Sequence, residues 1–180
     1  TSRSVYELLE NLLDWSRLMR DKIEFNPEKI SVYELAIKVL DIFHSRISEK
    51  NLQVHNQLNP EIKVIADGYM LDTILRNLVS NAIKFTPEKG EIFIYAHRDQ
   101  NFMNIYVEDT GIGVKEQDME NLFHTTNYHS NPGTDGELGS GLGLSLSKEF
   151  TERCGGRIWV NSQYGKGSAF VFSLPVADQN

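Results

Sequence analysis

The sequence predicts an α+β fold: a two-layer α/β sandwich in which helices cover one face of a mixed, mostly antiparallel sheet, preceded by one long helix. Three observations predict it. Helical and strand patterns are mixed without strict alternation, four strand patterns fall into hairpins, and the chain opens on a helical seam. A hydrophobic share of 40% and a charged share of 24% in 180 residues suit a globular protein with a sizeable core.

The first element is a helix over residues 4–22. Val5, Leu8, Leu12, Trp15 and Met19 repeat as a heptad seam, Leu9 and Leu13 widen it, and Ser4 with Glu7 has the spacing of a capping box. A helix this apolar needs a cover, either its own domain or, as the coiled-coil period favours, an intermolecular bundle. Residues 23–30 read as a linker running into a short strand that Pro27 confines to an edge. A second helix is expected from Val32 to Lys50, capped by Ser31 and Glu34, and a domain from there to residue 177. Leu52 to Leu58 and Ile62 to Ala66 read as strands, and Asp67 can cap a helix running to Phe85. Glu91 to His97 and Phe102 to Glu108 alternate as a hairpin. Gly111 to Gly141 is poor in apolar residues, and so long a loop inside a domain is usually functional, typically a lid. A helix from Leu142 to Arg153 stops at Gly155-Gly156, and Arg157 to Ser162 and Ser168 to Leu174 pair around a glycine turn.

Charge and composition narrow the function. A net charge of −7 argues against nucleic acid as the main partner. It leaves room for a single nucleotide, which needs only local donors. The only cysteine, Cys154, forms no internal disulfide and reads as a small residue near a helix end. No run approaches the ~18 apolar residues of a membrane span, and no leader pattern opens the chain. The expectation is a cytoplasmic domain, a fragment of a longer protein, with any membrane anchor in missing upstream segments.

Four motifs carry chemistry. On the helix to Phe85, Leu71, Ile74, Leu75, Leu78, Val79 and Ala82 form the apolar stripe, and Asn77, Asn81 and Lys84 share a neighbouring face. Asparagine is a poor helix-interior residue. Carboxamide oxygens beside a lysine suit a metal ion and a phosphate, although a solvated polar face is the plainer alternative. Asp109-Thr110-Gly111-Ile112-Gly113 follows a strand, so its carboxylate could accept a hydrogen bond from a base amine while the glycines allow close approach. Gly139-Ser140-Gly141-Leu142-Gly143-Leu144 opens a helix whose amides can face phosphate. It follows a loop and not a strand, which excludes a dinucleotide fingerprint, and it lacks the ending of a P-loop. Gly165-Lys166-Gly167-Ser168-Ala169-Phe170 alone reads as a hairpin turn.

Taken in order, these four motifs resemble the N, G1, G2 and G3 boxes of the GHKL ATPase superfamily, over residues 24–176. The run Leu78-Val79-Ser80-Asn81-Ala82-Ile83-Lys84-Phe85-Thr86-Pro87 resembles the histidine kinase form. Leu12-Leu13-Asp14-Trp15-Ser16-Arg17 is similar to the second helix of the dimerisation and phosphotransfer hairpin. The resemblance implies a Bergerat-type fold that binds ATP and Mg²⁺. It implies Asn81 as the Mg²⁺ ligand with Asn77 supporting it, Lys84 on phosphate, and Phe85 beside the purine. Asp109 would take the adenine amine, with a water that Ser168 would share. Gly111, Ile112 and Gly113 would admit the base, and Gly139, Ser140, Gly141, Leu142, Gly143 and Leu144 would wrap the phosphates. It further implies a homodimer through the opening helix and a response regulator receiver domain as partner.

Relatives that hydrolyse ATP place a glutamate base four residues before the metal-binding asparagine. Here that position is Asn77, which cannot take a proton at neutral pH. The expected activity is therefore phosphoryl transfer to a histidine outside this chain, since His44, His55, His97, His124 and His129 all miss the acceptor pattern. Between Lys115 and Lys148 there is no lysine or arginine, and Leu122-Phe123 keeps half of the usual two-phenylalanine box. A lid histidine or a partner-subunit residue is the expected substitute. The alternative is a pseudo-kinase that binds nucleotide or dimerises and signals by conformation.

Overall fold

The computed structural model describes residues 24–124, 132–137 and 141–177, together with Leu9, Leu12, Leu13 and Ser16. The opening helix thus lies almost wholly outside the described residues. Those four positions are helical, and the three leucines are exposed. In chain order the elements are β1 (Pro27–Ser31), α1 (Val32–Ile42), α2 (His44–Glu49), β2 (Gln53–Asn56), β3 (Lys63–Asp67), α3 (Gly68–Phe85), β4 (Glu91–Asp99), β5 (Phe102–Asp109), α4 (Glu116–Met119), α5 (Gly143–Arg153), β6 (Ile158–Gln163) and β7 (Gly167–Pro175).

Five strands form the main sheet in the order β2-β4-β5-β7-β6, with β2 parallel to β4 and the other pairs antiparallel. β1 and β3 make a separate two-stranded sheet, joined to β7's end by a bridge between Val64 and Val176. Strand alternation sorts the side chains. Ile92 and Ile94, then Met103, Ile105 and Val107, then Phe170, Phe172 and Leu174 all point into one core with the helices. On the other face Tyr95 stacks on Tyr106 with ring centroids 4.7 Å apart.

Local chemistry sets the helix ends. Asp67 Oδ1 accepts from the Tyr69 and Met70 amides at 3.0 and 3.1 Å, so α3 starts where its cap allows. All six residues of the expected α3 stripe are buried. Ser31 Oγ accepts from the Glu34 amide at the start of α1. α5 ends in a Schellman turn: Gly155, at φ +79°, donates to Glu152 O and Gly156 to Thr151 O. Two expectations needed correction. The helix expected over Val32 to Lys50 is two, because Phe43 (φ −95°, ψ 5°) divides its amide between the Val39 and Leu40 carbonyls. The loop after Gly111 also holds the short helix α4, which apolar periodicity could not signal.

Candidate functional site

Strand alternation explains the position of Asp109. Along β5 the inward row runs Met103, Ile105, Val107, Asp109, so the pleat that builds the core also turns this carboxylate inward. It is 5% exposed. Burial raises its pKa to about 6 from an ordinary 3.8; the Gly111 and Ser168 amides offset this in part, and the Glu108 charge adds to it. The Gly111 amide donates to Asp109 Oδ1 at 2.8 Å.

The glycines beside it are forced by contact. A Cβ on Gly111 would strike Phe85 O and Asp109 Oδ1, and one on Gly167 (φ +117°) would strike Asp109 O. Ser162 holds the neighbouring strands together. Its hydroxyl accepts from the Val114 amide at 2.8 Å, donates to Gly167 O at 2.9 Å, and lies 2.9 Å from Ser168 Oγ. Sequence reasoning missed Ser162, since a serine in an alternating strand carries no signal; its partner Ser168 was found only through its motif.

A cleft of about 320 Å³ opens over these groups. Of the expected residues, Asn81, Phe85, Asp109, Ile112, Gly113, Leu144 and Ser168 line it. The structure adds Val114, Lys115, Asp118, Asn121, Leu122, Tyr164 and Phe170. Lys115, the only lysine or arginine in the loop from Gly111 to Gly141, lies over the Tyr164 ring at 5.6 Å from its centroid. Gly139 and Ser140 lie outside the described residues, as does His129. Gly141 (φ +74°) and Leu142 lead into α5, which begins at Gly143.

Asn77 and Lys84 do not line the cleft. Asn77 Nδ2 donates to Gly143 O at 3.1 Å and Ser147 Oγ at 3.2 Å, which ties α3 to the first turn of α5. A glutamate there could not donate, so this position suits an amide for a structural reason as well as a chemical one. The Lys84 ammonium sits 4.6 Å from the Phe85 ring centroid. Burial lowers its pKa, and the nearby Glu137 carboxylate raises it. Among the described residues no group of three or more His, Cys, Asp or Glu side chains could cage a metal. A divalent ion here would need nucleotide oxygens to complete its shell, which is how Mg²⁺ is usually held. Asn81's carboxamide, at the cleft wall, fits one such position.

A buried carboxylate in a cleft lined also by Asn81, Gly113 and Leu144 at the start of α5 suits a nucleotide. The profile of the family described as Histidine kinase-, DNA gyrase B-, and HSP90-like ATPase matches residues 66–178, and the chain belongs to that family. Within it, the chain is an ATP-binding catalytic domain of the sensor histidine kinase kind. It is 32% identical over 177 residues to the autoinducer 2 sensor kinase/phosphatase LuxQ of Vibrio vulnificus (strain YJ016), covering 94% of this chain and 20% of LuxQ. It is 31% identical over 172 residues to the adaptive-response sensory kinase SasA of Synechocystis sp. (strain ATCC 27184 / PCC 6803 / Kazusa), covering 94% of this chain and 44% of SasA. The chain therefore spans less than half the length of these curated relatives. Among solved structures, full-length ShkA in complex with AMPPNP superimposes with a TM-score of 0.81 at 28% identity, over 96% of this chain and 36% of ShkA. The catalytic domain of the histidine kinase ThkA gives 0.72 at 29% identity, over 85% of this chain and 96% of that domain. No helix among the described residues is long and apolar enough to cross a membrane.

Proposed function

We propose that this domain positions MgATP so that its γ-phosphoryl group passes to an imidazole nitrogen of a histidine outside this chain, leaving ADP. The observation that carries the reading is the pairing of a buried acceptor, Asp109, with the Asn81 carboxamide across one cleft. Asp109, as the carboxylate, accepts from the adenine amine, and Ser168 holds a water beside it. Phe85 and Ile112 border the purine, and Gly111 and Gly113 let it approach. Asn81 would hold a Mg²⁺ through its side-chain oxygen, and the ion would supply charge neutralisation along the triphosphate. Lys84 and the segment from Gly139 to Leu144 contact the phosphates. Asn77 supports this wall through α5 and cannot activate water, so positioning for an external nucleophile is the economical mechanism.

In the full protein the opening helix forms a homodimer, which would cover the exposed Leu9, Leu12 and Leu13, and a response regulator receiver domain takes the phosphoryl group onward. ThkA, a relative in fold, has been crystallised with the response regulator protein TrrA. The test has two parts. Calorimetry should show MgATP binding to the chain, weakened at least tenfold by Asn81→Ala only when Mg²⁺ is present. A protein extended upstream to include the acceptor helix should then acquire acid-labile label from γ-labelled ATP. Nucleotide binding without label would favour the pseudo-kinase reading, which the absence of lysine and arginine between Lys115 and Lys148 also favours.

A further inference from the structure

Lys50 is a buried ammonium far in sequence from every motif, yet it meets the end of α3. Its Nζ donates to Ile83 O at 2.9 Å and Lys84 O at 3.3 Å, two carbonyls of the last turn that lack helical partners. It donates to Thr134 Oγ1 at 2.6 Å and lies 3.6 Å from both Asp135 Oδ2 and Glu137 Oε1. Only 8% of its side chain is exposed. The turn that aims it is built in: Asn51, at φ +50°, donates to Ser48 O and Leu52 to Ile47 O, a Schellman turn with asparagine in the glycine position.

Residues Gly133–Glu137 are stitched to the same spot. The Thr134 amide donates to Lys84 O at 3.0 Å, and its hydroxyl reaches Lys84 O and Thr86 O at 3.2 and 3.3 Å. Gly133 is wedged so tightly that a Cβ there would strike both the Lys84 side chain and Glu137 Oε2. Glu137 therefore stands between two lysines, Lys50 on one side and Lys84 on the other.

We propose that Lys50 is a positioning residue for the phosphate end of the site: it pins Gly133–Glu137 to the last turn of α3 and holds Glu137 where that carboxylate competes with bound phosphate for Lys84. The inference rests on the nucleotide reading above. Without a nucleotide, the Lys84 side chain lies beside Glu137 and feels its charge. When phosphate arrives, Lys84 turns to it, and Glu137 stays neutralised because Lys50 remains. Lys50 thus lowers the penalty of leaving a half-buried carboxylate unpaired. Its action falls on the phosphates and not on the base.

Parallel titrations of adenosine and MgATP into the chain separate these roles. Lys50→Met should weaken MgATP by roughly tenfold, the size of a usual site-to-site coupling, and leave adenosine unchanged. Lys50→Arg should restore part of the loss. Glu137→Gln should act the opposite way and tighten MgATP severalfold, since Lys84 loses its competitor. Equal effects of Lys50→Met on adenosine and MgATP would reduce Lys50 to a folding residue and overturn the proposal, as would no effect on either. Wild-type protein that binds neither ligand would instead overturn the nucleotide reading itself. Should Lys50→Met fail to fold, Thr134→Val decides, because it cuts the same link and leaves the buried ammonium on its carbonyls. It should selectively weaken MgATP, and an unchanged affinity would refute the link.

Discussion

Asp109 is held at a disadvantage by the strand that presents it. Its pKa lies at about 6 against an ordinary 3.8, so the folded protein binds its proton more tightly than the unfolded chain. Stability from this group is therefore greatest at low pH and falls as pH rises through the interval from about 4 to about 6. The gap corresponds to about 3 kcal/mol at neutral pH, an order-of-magnitude figure. Asp109→Asn should raise the melting temperature of the ligand-free protein at pH 7 while abolishing adenosine binding; a lower melting temperature would refute the desolvation account. In the wild type, adenosine affinity should decline as pH drops below about 6, where the acceptor becomes protonated. Asn77 makes the opposite case. Asn77→Asp replaces two donated hydrogen bonds with a carboxylate facing Gly143 O and Ser147 Oγ, and should cost about 1–3 kcal/mol in urea denaturation. Buried Cys154, whose thiol burial pushes upward in pKa, has no part in this chemistry.

At the scale of elements, the readable features were those set by a few neighbouring residues. Asp67 and Ser31 start helices and Gly155 ends one through bonds to residues two to four positions away, and their residue types announce it. The inward row of β5 followed from the alternation expected over Phe102 to Glu108. Phe43 announced nothing, because a phenylalanine continues the buried stripe of α1 whether or not the backbone tightens there. α3 combines both kinds of information: one face is core, and the next carries Asn77, Asn81 and Lys84. Leu75→Ala on the core face should cost about 2–5 kcal/mol, measured by chemical denaturation. Gly113→Ala tests the loop that follows β5. With φ +69° and Gln163 O in the way of a Cβ, it should destabilise the protein by about 1–3 kcal/mol and weaken adenosine binding. An affinity equal to wild type would separate that glycine from the base.

For the whole molecule, the site draws on α3, β5, α5 and β7, and each contribution carries its own short motif, which made most of it legible. The rest depends on residues that meet only after folding. Lys50 and Thr134 stand 84 positions apart, and Ser162 acts across strands. Ile30 is the first described residue packed against the core, and the described positions of the opening helix, Leu9, Leu12, Leu13 and Ser16, are exposed. A protein lacking residues 1–22 should therefore bind MgATP within about twofold of the full chain, as measured by calorimetry; a larger loss would place part of the site in the opening helix. The parallel pairing of β2 with β4 has a separate consequence, for the order in which the chain assembles. The β4–β5 hairpin can close locally, but β2 must wait for β3 and α3 to be laid down between Asn56 and Glu91 before its partner exists. The folding nucleus should then sit in β4, β5 and α3, with β2 docking after the rate-limiting barrier. Ile94→Val should slow refolding, whereas Val54→Ala should mainly hasten unfolding, and stopped-flow denaturant jumps on the two variants would reveal whether the parallel edge is the last seam to close.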